Sequence, residues 1–107
     1  MVIQRFSVWR VNLNPTQGSE QAGSRPALVV SPDPMNEKLK TVIIAPMTTR
    51  LRGWPSRILI NHDNKTDEVA LDKLRTIAKS RLGSSMGDMD RAYHDQILSV
   101  LAEIFAT

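Results

Sequence analysis

The stretch Thr41-Val42-Ile43-Ile44-Ala45-Pro46-Met47-Thr48-Thr49 decides the fold class. Branched side chains lose χ1 freedom in a helix and pack well on a pleated surface. The run is short, apolar and β-branched, so it predicts a strand. Pro46 has no N–H to give to a ladder, and a bulge or strand end is expected there. Toward the N-terminus, Pro32-Asp33-Pro34 separates this run from Ala27-Leu28-Val29-Val30-Ser31, which Pro26 opens. Continuous apolar character over so few residues predicts a buried central strand. Met35 to Lys40 is polar and fits a helical turn. Further back, Phe6, Val8, Val11 and Leu13 line an approximately alternating strand over Phe6 to Leu13.

Between those two N-terminal strands lies Asn14-Pro15-Thr16-Gln17-Gly18-Ser19-Glu20-Gln21-Ala22-Gly23-Ser24-Arg25-Pro26. It is nearly free of large apolar side chains and reads as a loop. Hairpin loops usually take 2–5 residues, and long ones in compact domains are often functional. This one carries an acid, Glu20, and a cation, Arg25.

Toward the C-terminus, Arg50 to Arg57 is a basic loop containing Trp54. Ile58-Leu59-Ile60 predicts a short strand, and Asn61 to Asp67 is turn chemistry throughout. Glu68-Val69-Ala70-Leu71 and Lys73 to Ala78 read as strand pieces, and Gly83 to Gly87 as a turn. The period then changes. Tyr93, Ile97, Val100, Leu101, Ile104 and Phe105 fall on one helical face, with Asp88 or Asp90 as the N-cap. Short strands followed by one amphipathic helix predict a mainly β (α+β) fold, a small barrel or sandwich with the helix closing one side.

The 107 residues suit one domain spanning 1–107, with 41% hydrophobic residues to build a core and a charged fraction of 23% that argues against disorder. A net charge of +3 is compatible with a polyanionic partner. No cysteine is present, which excludes a disulfide framework, a cysteine-ligated zinc and a thiol nucleophile. No apolar run is long enough for a signal peptide or a membrane span, and a cytoplasmic location is expected.

Several strings are specific in combination: Val8-Trp9-Arg10-Val11-Asn12-Leu13-Asn14-Pro15, Gly18-Ser19-Glu20-Gln21-Ala22-Gly23 with Arg25-Pro26, Ala45-Pro46-Met47-Thr48-Thr49, Gly53-Trp54-Pro55 and Leu74-Arg75-Thr76-Ile77-Ala78. Through them the chain resembles the MazF/PemK (Kid) toxins of bacterial toxin–antitoxin modules over nearly its whole length. The resemblance implies a homodimeric SH3-like β-barrel with a C-terminal helix. It implies a metal-independent, cofactor-free endoribonuclease that cuts single-stranded RNA and is neutralised by a MazE-type antitoxin. It ties catalysis to Arg25 and Thr48, and in some members to the acid at Glu20. Family members with a histidine in the long loop differ from this chain, which has Gln17 and Gln21 there.

The chemistry required agrees with these residue types. When the RNA's own 2′-hydroxyl attacks, something must take its proton, something must hold charge on phosphorus, and the leaving oxygen must gain a proton. A guanidinium pairs with two phosphate oxygens at once, so Arg25 suits charge stabilisation, and Glu20 is the natural base. Alone, Arg25 would read as a solvated loop residue and Thr48 as a strand former. Ser19, Gln21 and Thr49 are candidate RNA contacts. Arg50, Arg52 and Arg57 around Trp54, extended by Arg75, form the best nucleic-acid surface, because single strands are held by cations and by stacking on aromatics. Trp54 reads equally as a residue packed on the barrel. His62, in a polar turn, and His94, on the outer helix face, are not expected to share a site. The alternative function is a non-catalytic SH3-like binding module or a gyrase-poisoning toxin of the same fold.

Overall fold

The computed structural model describes residues 2–13 and 23–106. Among them run β1 (Ser7–Asn12), β2 (Ser24–Val29), α1 (Asp33–Lys38), β3 (Thr41–Thr48), β4 (Arg57–His62), β5 (Lys65–Ala70), β6 (Arg75–Ala78), β7 (Leu82–Asp88) and α2 (His94–Phe105). The sheet order is β4-β5-β3-β2-β1-β7, with β6 also on β3, and every pairing is antiparallel. The expected mainly β architecture with a C-terminal helix is what forms, as a strongly curled sheet.

The predicted strand at Thr41–Thr48 forms, and as β3 it is the hub of the sheet. Its first half pairs with β6, from Thr41↔Ala78 to Ile44↔Arg75. Its last residues pair with β5 at Met47↔Val69 and Thr48↔Glu68. The 3-10 turn Leu71–Lys73 steps the chain from β5 to β6, so both strands lie against β3 in succession. The β2–β3 pairing extends only to Ala27↔Pro46. Pro46 neither bulges nor ends β3. It marks the place where one ladder stops and the β5 ladder begins.

Both faces of the central strands are buried, which explains the unbroken apolar run in β2. One cluster contains Val8, Leu28, Ala45, Met47, Ile58, Ile60, Val69 and Ile97 of α2. The other contains Trp9, Val11, Ala27, Val29, Val42, Ile44 and Ile77. On α2, Ile97 is fully buried and Val100 and Leu101 pack beside it. Leu98, Ile104 and Phe105 stay exposed, so the apolar face outruns what the barrel covers. Asp90 caps the short turn before α2 by accepting from the Ala92 N–H at 2.9 Å. Among the described residues no helix is long and apolar enough to cross a membrane.

Several expectations are corrected. β2 begins at Ser24, with Pro26 opposite Arg10 rather than at the strand's start. The turn expected over Asn61–Asp67 is only Asp63-Asn64, both at positive φ (51° and 61°), so Lys65, Thr66 and Asp67 are strand. Gly83–Gly87, expected as a turn, lies within β7. It pairs irregularly with β1, and a Cβ on Gly83 would sit 3.1 Å from the Arg10 carbonyl oxygen. A glycine- and serine-rich edge strand has no alternation to announce it.

Candidate functional site at the barrel mouth

Side chains alternate across a strand, so positions two apart share a face. One step beyond the core residues Val8, Leu28, Met47, Ile60 and Val69 come Arg10, Pro26, Thr49, His62 and Asp67. These residues, with Met47, Asp63, Lys65 and Met86, line a cavity of about 270 Å³. The barrel interior therefore continues into an open, charged mouth. His62 is fixed there by donating from Nε2 to the Met86 carbonyl oxygen at 2.6 Å. Asp67 is buried, and its Oδ1 has no hydrogen-bond partner among the described residues.

Next to Asp67 the chain alternates to the other face, and Glu68 has a different environment. Its Oε2 accepts from the backbone N–H groups of Arg52 (2.9 Å) and Gly53 (2.8 Å), and its Oε1 from Arg57 Nη1 at 3.3 Å. Arg57 also donates from Nε to Asp72 Oδ1 at 2.7 Å. The Arg57 and Glu68 side chains are each 3% exposed. Burial pushes the Glu68 carboxyl up, but the two backbone N–H groups and Arg57 outweigh it and hold it below its usual value. Asp72 is likewise lowered against its burial by hydrogen bonds from Arg57 and Ser56. The bond to Asp72 is the main cause that raises Arg57. The expectation that Arg57 belongs to an open basic surface is thus corrected. It is a buried tie between β4, β5 and the turn after β5.

That tie supports the loop between β3 and β4. Trp54 is 46% exposed. Its ring lies over the guanidinium of Arg57 (4.8 Å) and beside that of Arg52 (5.2 Å). The ring is thus packed against buried Arg57, with Arg52 also over it, while about half of the residue stays exposed. Arg50 and Arg52 are exposed. Thr48 is half-buried, and its Oγ1 accepts from the Arg50 N–H at 3.1 Å.

Arg25 is exposed near the start of β2. The β2–β3 ladder ends at Ala27↔Pro46, and Arg25 and Thr48 each lie within two residues of that end on their antiparallel strands. Thr49 follows directly on the mouth wall. The structure thus brings Arg25, Thr48, Thr49, Arg50, Arg52 and Trp54 to one end of the barrel. Arg75 is not brought there. It stands opposite Ile44, about 13 Å back along β3 from Thr48 at the usual strand rise. Ser19, Glu20 and Gln21 lie outside the described residues. The histidines are apart in role, as expected, but His94 is not on an outer face: its ring stacks on Phe6 at 3.9 Å and it donates to the Met89 carbonyl oxygen.

The model of the PemK-like, MazF-like toxins of type II toxin–antitoxin systems matches residues 4–105. The chain belongs to this toxin family. It is 35% identical over 78 residues to the endoribonuclease toxin MazF of Escherichia coli strain K12, covering 73% of this chain and 69% of that one. It is 30% identical over 103 residues to the endoribonuclease EndoA of Bacillus subtilis strain 168, covering 91% and 89%. Among solved structures, a mycobacterial endoribonuclease in complex with its cognate antitoxin matches with a TM-score of 0.82 at 26% identity, covering 94% and 92%.

In this MazF-like chain the mouth residues Arg10, Lys65 and Asp67 are not singled out by motif reading. The signal that finds them is phase: each lies on the face of a core residue two or four places along its strand. Arg57 looked like its neighbours Arg50 and Arg52 because its partners, Glu68 and Asp72, are distant in sequence.

Proposed function

We propose that this chain is a sequence-specific endoribonuclease toxin that cuts single-stranded RNA without a metal and is neutralised by a cognate antitoxin. The observation that supports the reading is that Arg25, near the start of β2, and Thr48, at the end of the antiparallel β3, lie at the same end of the sheet, where Thr49, Arg50, Arg52 and Trp54 follow in the chain. Relatives named as endoribonucleases support it.

The RNA 2′-oxygen attacks the adjacent phosphorus and the bond to the 5′-oxygen breaks, leaving a 2′,3′-cyclic phosphate and a 5′-hydroxyl. Glu20 takes the proton of the 2′-hydroxyl. Arg25 pairs with the non-bridging oxygens as negative charge builds, and the Thr48 hydroxyl donates to the same phosphate. The departing 5′-oxygen gains a proton delivered through Arg25 or from water. Ser19, Gln21, Thr49, Arg50, Arg52 and Trp54 hold the strand, cations on phosphates and the indole under a base. Arg57 and Arg75 serve the fold and the flank. The chain acts in the cytoplasm as a single-domain homodimer, and the antitoxin covers the basic groove with an acidic or apolar tail.

The test is cleavage of a long end-labelled single-stranded RNA in excess EDTA by wild type and Arg25→Ala. Discrete cuts by wild type are expected, reduced by on the order of 10²–10³ in the variant, the scale set by removing one group that stabilises transition-state charge. A folded wild type that leaves several unrelated RNAs intact would instead support the binding-module or gyrase-poison alternative.

A further inference from the structure

Two adjacent carboxylates of β5 have opposite surroundings. Glu68 is fully occupied in holding the β3–β4 loop. Asp67 is 6% exposed and its Oδ1 has no hydrogen-bond partner among the described residues. An unpaired acceptor in a buried position lowers stability, so it points to a partner that arrives from outside. Asp67 lines the mouth cavity of about 270 Å³. Pro26, Met47 and Met86 give that cavity apolar walls, and Arg10 and Lys65 bring donors to it. Its mixed lining is that of a ligand pocket, and its volume lies just under the usual lower bound for one, about 300 Å³. Thr49 in the wall directly follows Thr48, whose side chain alternates to the other face, so the pocket opens at the same end of the sheet as the proposed cleavage site but on its other face.

Bases of single-stranded RNA are splayed out and read on their edges. A carboxylate only accepts, so it matches a base N–H, and cytosine is the base whose amino group stands at one end of the edge with two acceptors after it. Cytosine presents N4–H beside the acceptors N3 and O2. Of the two carboxylates in the lining, the Asp63 side chain is 66% exposed and stands beside His62, so the edge meets the buried Asp67 as acceptor and donors from Arg10 and Lys65. Uracil presents O4 where cytosine has N4, and that oxygen would face the carboxylate. We propose that the mouth is a base pocket in which Asp67 accepts from the N4 amino group of one cytosine of the substrate. The proposal rests on the endoribonuclease reading above and names its specificity pocket.

Two assays test it. In the first, wild type and Asp67→Asn cut a randomised RNA pool and the ends are sequenced. Wild type is expected to favour cytosine at one fixed distance from the cut. The amide of D67N offers a donor to uracil O4, and should shift the preference at that position toward uracil by on the order of tenfold. Should D67N fail to fold, Asp67→Ser is expected to lose the cytosine preference without gaining one for uracil. No cytosine preference in wild type, or the same preference in the variants, overturns the proposal. In the second, uncleavable 2′-O-methyl oligo(C) and oligo(U) are titrated by fluorescence anisotropy, which needs no activity. Tighter oligo(C) binding by wild type alone supports the pocket, and equal binding of the two overturns it. A wild type that prefers oligo(C) yet cuts no RNA would sink the nuclease reading and leave the pocket standing.

Discussion

Replacing Arg57 by alanine tests the account of the loop support most directly. The variant removes the donors to Glu68 Oε1 at 3.3 Å and to Asp72 Oδ1 at 2.7 Å. Glu68, 3% exposed in its side chain, would keep only the N–H groups of Arg52 and Gly53. Stripping one partner from a buried ion pair costs about 3–5 kcal/mol. The two remaining N–H donors place the expectation at the lower end, about 3 kcal/mol, a fall in Tm on the order of 12 °C for a domain of this size. Urea and thermal unfolding followed by circular dichroism measure it. The pH dependence adds a second check. Once its cation is gone, Glu68 can relieve its burial by taking a proton, so the gap between wild type and variant should narrow as pH falls from 7 to 4. A loss below about 1 kcal/mol at pH 7 would refute the reasoning, on the scale of an exposed pair. A gap that widens on acidification would refute it too.

The remaining expectations use the same geometry. The Glu68 and Asp72 carboxyls are held below their unfolded values, about 4.3 and 3.9. Their stabilisation is therefore complete above those values and is lost as pH falls through the lower folded ones, which an acid titration of unfolding free energy will show. Asn64→Ala should destabilise by about 1 kcal/mol, because Asn64 sits at φ 61° in a turn where a plain Cβ is disfavoured, and Asn64→Gly should not; urea midpoints separate the two. Trp54→Ala should weaken binding of a single-stranded oligonucleotide by about 1–3 kcal/mol, with Trp54→Phe intermediate, read by fluorescence anisotropy.

Much of the scaffold was legible because its signals are local. The β-branched run gave β3, the short apolar run gave β2, and the change of period gave α2. What was hidden depends on distance or on absence of pattern. β7 is an edge strand of glycines and serines whose pairing with β1 is a matter of backbone fit. Lys65, Thr66 and Asp67 look like turn residues because they are polar, yet the turn is two residues long and its pairing extends through them. In the site, Arg25 and Thr48 are proposed only through whole strings of residues, since each alone is ordinary. Arg57 was misplaced because a buried ion pair has no mark in sequence when its partners lie 11 and 15 residues away. Asp67 was passed over for the same reason as the strand that carries it.

The shared phase of core and mouth has a consequence for how such a chain can diversify. Substitutions at 10, 49, 62, 65 and 67 alter the mouth while the core positions on the same strands keep their partners. Charge and shape at the opening can be exchanged at small structural cost at the exposed Thr49 and Lys65, and at more where His62 is tied to Met86 and Asp67 is buried. A deletion or insertion of one residue in β5 acts otherwise. It would turn the strand over, bring Glu68 into the mouth and leave Arg57 with Asp72 as its one carboxylate partner. The scaffold therefore tolerates change by replacement far better than change in length within β5, while the two-residue turn at Asp63-Asn64 fixes the register that keeps it so.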